Sequence, residues 1–136
     1  MRNRTLGRVR LRAAVRSASY AMAALALGSS PGFSAGDAAT GQHVFASRCG
    51  ICHAPQPSVN KIGPSLAGVF GRKSGTEAGF DYSPALKAAA INWDEKTLDQ
   101  FIQNPGADVH GTKMIVSVPG NDDRQNVIAY LKTLKP

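Results

Sequence analysis

The chain has 136 residues, 43% of them hydrophobic and 7% aromatic, which supports one small globular domain rather than two. Six arginines among the first 16 residues account for much of the formal net charge of +7. Residues 36–136 carry ten bases (16 minus 6) against all nine acids, a formal +1. The high isoelectric point is therefore no sign of nucleic-acid binding.

Residues 1–35 are predicted to be an N-terminal targeting segment. The arginine-rich start leads into an apolar run at residues 21–27 that is too short to span a bilayer, followed by small residues. This pattern favours a bacterial secretory signal and a periplasmic protein without a membrane span in its mature form. The alternatives are a membrane anchor facing the periplasm and a presequence for the mitochondrial intermembrane space. Cleavage after Ala35 or Gly36 would leave small residues near the cut.

A first helix is predicted to begin after Asp37, which can cap it, and to run to about Cys49. Gly41 lies inside this helix, where glycine costs roughly 1 kcal/mol relative to alanine. We therefore expect another helix to approach closely at Gly41.

Cys49, Cys52 and His53 form the segment Cys49-Gly50-Ile51-Cys52-His53, which contains the only two cysteines of the chain. This is the spacing of covalent haem c attachment. Two thiols three positions apart on a helical turn can each add to one vinyl group of haem, and the histidine that follows then lies under the iron. We expect one haem c, attached through Cys49 and Cys52.

Other uses of this cysteine pair fit the sequence less well. A structural zinc site needs four ligands, usually from two separated pairs, and there is no second pair. A thioredoxin-like site needs a flanking strand that the sequence does not indicate. A plain disulfide is the remaining alternative.

Residues 54–82 contain many turn formers and no convincing helix or strand. A loop of this length normally argues against a compact fold. A flat apolar haem would provide a core that a domain of about one hundred residues can hardly build alone, and the loop could wrap around it.

Three further helices are predicted in the second half of the chain. Ser83 and Pro84 are typical of the cap and the first position of a helix over residues 85–90. Asp94 begins a segment over residues 95–103 that ends before Pro105. Asn121 is predicted to cap the last helix. Its apolar stripe is predicted to consist of Val127, Tyr130, Leu131 and Leu134. The fold class is therefore all-α.

Met114 is the methionine that could be the second axial ligand of the iron. Met1 is the initiator and Met22 lies in the targeting segment, whereas Met114 stands in the loop Gly111-Thr112-Lys113-Met114-Ile115. A methionine ligand raises the reduction potential of haem iron. His43 is too close in sequence to reach the opposite haem face, and His110 is read as a surface residue.

With these residues considered, residues 36–136 resemble a class I cytochrome c of the mitochondrial and bacterial c2 type. The likeness extends over the whole segment and is carried by matches in order along the chain. These matches are Gly36-Asp37, Gly41, Phe45, the haem motif, Gly63-Pro64-Ser65-Leu66, residues 70–75, residues 79–83, Ile91-Asn92-Trp93, Asn104-Pro105, residues 111–114 and residues 128–132.

The resemblance implies a fold in which the N- and C-terminal helices cross, here with Gly41 and Phe45 against Tyr130. It also implies roles for further residues around the haem. Pro64 would accept a hydrogen bond from the ring of His53. The haem propionates would be satisfied by Arg72, Tyr82 and Trp93, and Thr112 would hold the methionine loop.

The chain departs from its mitochondrial relatives near the methionine and on the docking face. Phe101 and Leu86 replace a tyrosine and an asparagine, so the polar network on the methionine side is thinner. Arg48, Lys61, Lys73 and Lys113 remain of the lysine ring through which the family docks. We therefore expect docking to depend less on charge.

The sequence thus predicts a soluble, monomeric electron carrier and not an enzyme, with His53 and Met114 bound to iron that cycles between Fe(II) and Fe(III). The resemblance implies a cytochrome bc1-type donor and an oxidase, reductase or photosynthetic reaction-centre acceptor as its partners. One alternative is an electron-transfer subunit of a periplasmic dehydrogenase. Another is a haem peroxidase or gas-binding protein, which would need an open iron position that Met114 argues against.

Overall fold

The computed structural model describes residues 35–136, which form five α-helices joined by loops. The predicted targeting segment lies outside the described residues, except for Ala35. The helices are α1 Ala38–Val44, α2 Pro84–Ala89, α3 Glu95–Gln103, α4 Pro105–Asp108 and α5 Asn121–Thr133. Extended pairing within this part of the chain is limited to an isolated bridge between Lys73 and Asn92. The all-α prediction is confirmed.

The first helix begins at the predicted cap. The backbone N–H of Thr40 donates to Oδ1 of Asp37 over 2.7 Å, which satisfies one of the otherwise unpaired donors of the first turn. After α1 the chain continues in a π-helical turn, Phe45–Cys49, so the helical backbone reaches Cys49 as expected. Short π-helical turns often occur at functional sites.

The crossing of α1 and α5 is confirmed by their contacts. A Cβ atom on Gly41 would lie 1.9 Å from the backbone oxygen of Asn126 in α5 and 2.9 Å from Cβ of Tyr130. The ring centroids of Phe45 and Tyr130 are 5.3 Å apart. Only glycine at position 41 allows the two backbones to approach this closely, which explains a residue that is otherwise unfavourable in a helix.

The middle helices also begin as predicted. Oγ of Ser83 accepts a hydrogen bond from the N–H of Leu86 at the start of α2, and Asp94 and Thr97 form a reciprocal capping box at the start of α3. The short helix α4 was not predicted. It is capped by Asn104, whose side chain accepts from the N–H of Ala107.

The predicted cap of α5 is wrong by one residue. Asn121 is the first helical residue, and Gly120 precedes the helix without a side-chain cap. Oδ1 of Asn121 instead accepts from Nη2 of Arg124 at 3.3 Å. Arg124 is buried and also donates from Nε to Oδ1 of Asp99 over 2.7 Å, which joins α5 to α3. This long-range partner redirects a side chain whose local sequence is typical of a cap.

The core is formed by residues of α1, α3 and α5 together with residues of the segments that connect these helices. Its buried apolar residues are Val44, Phe45, Val69, Trp93, Leu98, Phe101, Ile102, Val109, Val127, Ile128 and Leu131. The predicted stripe of α5 is confirmed, because Val127 and Leu131 are buried and Tyr130 and Leu134 pack half-buried against the same core. The prediction omitted Ile128, which is also buried. None of the helices in the described part of the chain is long and apolar enough to cross a membrane.

Candidate haem site

The cysteine pair lies on a helical turn that extends the first helix. The N–H groups of Cys52 and His53 both donate to the carbonyl of Cys49, over 3.0 and 2.8 Å. Both cysteines are free thiols and half-buried. Burial is the main cause that raises the pKa of Cys49 to about 11, so the thiol is protonated at neutral pH. One hydrogen-bonded turn therefore carries both thiols.

His53 is held in a defined orientation by the segment that contains Gly63 and Pro64. Its Nδ1 lies 2.8 Å from the carbonyl oxygen of Pro64. A carbonyl only accepts hydrogen bonds, so Nδ1 carries the proton and Nε2 keeps a lone pair. Burial lowers the pKa of His53, which favours the neutral ring that binds metals. The lone pair on Nε2 is therefore available to a metal ion.

Gly63 leaves room for the imidazole of His53. A Cβ atom at position 63 would lie 2.3 Å from Cε1 of the ring and 2.7 Å from Nδ1. The N–H of Gly63 donates to the carbonyl of Cys52 over 2.7 Å, which ties this segment to the cysteine turn. The contact of Gly63 with the ring was not anticipated from the sequence.

Met114 stands in the loop between α4 and α5, which is tied to the rest of the molecule at several points. The N–H of Met114 lies 3.3 Å from Oγ1 of Thr112. Farther along the loop, the N–H of Val118 donates to the carbonyl of Ile102 in α3 over 2.8 Å. The half-buried side chain of Met114 packs against the same core cluster as Cys49. The fold therefore brings the methionine loop and the cysteine turn to one core.

The aromatic residues expected near the propionates are buried. The ring centroids of Trp93 and Phe101 are 5.0 Å apart. Those of Phe80 and Tyr82 are 4.9 Å apart. Phe101 is itself buried in the core cluster against which Met114 packs.

Arg72 has a set of partners that the sequence did not reveal. It donates to the carbonyls of Ala67 and Ser65 over 3.0 and 2.8 Å, and it forms an ion pair with Glu77. Glu77 is thus a charged neighbour of the expected propionate residues. Sequence spacing offered no signal for it, because the loop that carries it has no periodic pattern.

These residues fit a covalently attached haem. The two free thiols can form the two thioethers. Nε2 of His53 and the sulfur of Met114 are atoms that can bind haem iron. Gly63 leaves space for the ring of His53 that any larger residue would fill. The fold and this set of groups define a small c-type haem protein.

Comparisons with known proteins agree with this class. The cytochrome c family model matches residues 38–135. A cytochrome c from Euglena viridis is 50% identical over 101 residues, which cover 74% of this chain and 99% of that protein. A cytochrome c2 from Rhodomicrobium vannielii is 43% identical over 107 residues, which cover 77% of this chain and 85% of that protein. The solved structure of cytochrome cH from Methylobacterium extorquens is 40% identical with a TM-score of 0.67, over 72% of this chain and 99% of that one.

The chain belongs to the cytochrome c family. It is accordingly a monohaem electron-transfer protein with covalently bound haem c, and its relatives are cytochromes c and c2.

Proposed function

We propose that this protein carries single electrons with His53 and Met114 as the axial ligands of its iron and with Cys49 and Cys52 bound to the haem as thioethers. The observation that carries this proposal is the 2.8 Å contact between Nδ1 of His53 and the Pro64 carbonyl, because it leaves Nε2 for the metal. When bound, the haem supplies reversible one-electron chemistry between Fe(II) and Fe(III).

The residues around the haem site would orient the haem and bind its propionates. Tyr82 and Trp93 are buried, and two backbone carbonyls hold the guanidinium of Arg72. These three side chains would supply hydrogen-bond donors to the propionates. A buried propionate without such partners would be costly. Thr112 accepts from the N–H of Met114 and stabilises the loop that presents the sulfur.

A carrier role without substrate turnover follows from this ligation. If Nε2 of His53 and the sulfur of Met114 both held the iron, no position would remain open for peroxide or a gas. Docking would then bring a cytochrome bc1-type donor and an oxidase, reductase or photosynthetic reaction-centre acceptor to the protein in turn.

A periplasmic location and a domain that starts at about residue 36 complete the proposal. The arginine-rich leader and the bacterial cytochromes c2 among the relatives support export. The N–H of Asp37 donates to Oδ1 of Asn126 in α5 over 2.8 Å, and a Cβ atom on Gly36 would lie 2.0 Å from the Gln125 carbonyl. Cleavage after Ala35 would therefore leave a new terminus that packs on α5.

Intact mass and optical spectra of the exported protein test the proposal. We expect the mass of the cleaved chain plus one haem, haem that stays on the chain after acidified organic extraction, and a weak long-wavelength sulfur-to-iron band in the ferric form. Release of free haem, or a mass with a Cys49–Cys52 disulfide, would contradict covalent attachment.

The Met114→Ala variant tests the second ligand. It should lose the long-wavelength band, lower the reduction potential and bind cyanide faster in the ferric state. Ile115→Ala is the matched control, because Ile115 is the next residue in the loop and its side chain is exposed. Cyanide binding to Met114→Ala at the wild-type rate would show that Met114 is not a ligand.

A further inference from the structure

Glu77 lies in a loop, yet its carboxylate is largely shielded from solvent. In its ion pair with Arg72, the side chains of arginine and glutamate are 18% and 13% exposed. The other acids that form ion pairs in the described residues are more exposed, from 25% for Asp99 to 87% for Asp81. A carboxylate this shielded exerts its charge on its surroundings with little screening by solvent.

The loop itself determines the position of Glu77. On one side of it, Oγ1 of Thr76 donates to the carbonyl of Lys73 over 2.6 Å. On the other side, Nδ2 of Asn60 donates to the carbonyl of Ala78 over 2.9 Å. The backbone on both sides of Glu77 is thus anchored, and the carboxylate is directed at Arg72 by the fold.

Arg72 keeps donors for a second anion. Its bonds to Ala67, Ser65 and Glu77 use three N–H groups, whereas a guanidinium has five. The backbone of Arg72 is also fixed, because its carbonyl accepts from the N–H of Trp93 over 3.0 Å. The arginine is therefore a rigid group with a carboxylate on one part of its edge and two N–H donors remaining.

The phenol of Tyr82 lies close enough to this ion pair for the charges of Arg72 and Glu77 to act on it. Burial is the main cause that raises the pKa of Tyr82. The charge of Arg72 and a hydrogen bond with the backbone of Glu77 act in the opposite direction, and the charge of Glu77 adds to the rise. Arg72, Glu77 and Tyr82 thus form one polar cluster, which contains two of the three residues expected at the propionates.

We propose that Glu77 shares Arg72 with a haem propionate and, by offsetting the charge of that arginine, lowers the reduction potential of the iron. This inference rests on the proposed role of Arg72 in propionate binding. Reduction adds a negative charge to the haem, so a nearby cation favours the ferrous state and a nearby anion disfavours it. Glu77 acts through Arg72 and is a positioning residue of the haem site.

The test compares the reduction potential of the Glu77→Gln holoprotein with that of wild type. Glutamine keeps the size of the side chain and an oxygen that can accept from Arg72, so the change is mainly one of charge. Glu95→Gln is the matched control, because it removes the same charge from an exposed ion pair with Lys132. Each potential is measured by optical redox titration at low ionic strength and at about 1 M salt, where the Debye length is about 3 Å.

We expect Glu77→Gln to raise the potential, with most of the rise retained at high salt. Glu95→Gln should change it less, and salt should remove that change. An unchanged or lowered potential in Glu77→Gln, or a rise no larger than that of the control, would overturn the role of Glu77. If wild type carries no covalent haem, the proposed function falls as well, and intact mass distinguishes these two failures.

A second variant, Glu77→Asp, provides a test if Glu77→Gln does not fold. Glu77→Asp keeps the charge but shortens the side chain, which withdraws the carboxylate from Arg72. Because the charge is kept, this variant should leave the potential at or slightly above the wild-type value, with an unchanged optical spectrum. A lowered potential, in a protein that denaturant unfolding shows to be folded, would overturn the proposal.

Discussion

Nζ of Lys113 lies 3.2 Å from Oδ2 of Asp81 and 3.1 Å from the backbone oxygen of the same residue. The residue directly before Met114 is thereby joined to the loop that leads into α2. The contact links the methionine loop to a loop 32 positions earlier in the sequence.

Loss of this contact should loosen the methionine loop. Both side chains are well exposed, and an exposed pair contributes at most about 1 kcal/mol, equivalent to roughly a fivefold change in an equilibrium. We expect Lys113→Ala to increase cyanide binding to the ferric protein by up to about fivefold. Lys132→Ala, which removes another exposed ion pair, is the control and should leave cyanide binding unchanged. Equal effects of the two variants would argue against a specific tether.

Gly63→Ala should disturb His53, the proposed iron ligand. The new Cβ would lie 2.3 Å from Cε1 of His53, so either the ring or the segment of Pro64 must move. We expect less holoprotein and an altered haem spectrum. Gly106→Ala is the control, because a Cβ there meets nothing within 4 Å. A Gly63→Ala protein with the wild-type spectrum and yield would show that the ring has more room than the structure indicates.

Gly41→Ala should destabilise the domain even though alanine favours helix. The gain in helix propensity is about 1 kcal/mol, whereas overpacking typically costs about 1–3 kcal/mol. Here the obstructing atom is the backbone oxygen of Asn126, at 1.9 Å, which cannot rotate away. We expect a net loss in the free energy of unfolding, measured by denaturant titration of the holoprotein. An increase in stability would mean that α1 and α5 separate easily.

Asp94 should make stability depend on pH in the acid range. Hydrogen bonds from Thr97 are the main cause that lowers the pKa of Asp94 below 3.8. The stabilisation is therefore present above pH 3.8 and is lost as the pH falls through the lower folded pKa.

The Asp94→Asn variant tests this dependence. Wild type should be more stable than the variant above about pH 4, and the two should converge in more acidic solution. Asp108→Asn, an exposed acid in α4, serves as the control for the loss of one charge. A stability difference that is constant with pH would contradict the prediction.

Electron transfer to an acidic partner should depend only modestly on ionic strength. The formal charge of residues 36–136 is +1, and haem propionates would bring it close to neutral. Two of the remaining basic residues are engaged within the protein, because Lys61 donates to the Gly50 carbonyl and Lys113 to Asp81. Stopped-flow rates at low and physiological salt measure the effect. A fall of a hundredfold or more would indicate a concentrated basic docking face.

Most of the helical structure could be predicted because its signals are local. Asp37, Ser83 and Asp94 bind backbone N–H groups within three residues of themselves, so neighbouring residues suffice to identify them. The prediction that Asn121 caps α5 failed because its side chain accepts a hydrogen bond from Arg124. Arg124 is in turn positioned by Asp99 in α3, a partner that the local sequence does not reveal. The helix α4 was missed because four residues are too few for a periodic pattern.

The sequence by itself determined the cysteine–histidine motif, the single available methionine and the close approach required at Gly41, since each depends on residue identity and short spacing. Only the tertiary structure decided that Gly63 lies against the ring of His53, that Lys113 contacts Asp81, and that Glu77 pairs with Arg72. These contacts arise where irregular loops meet. Such loops have no period from which a contact can be read, and their side chains find partners only once the chain has folded around its core.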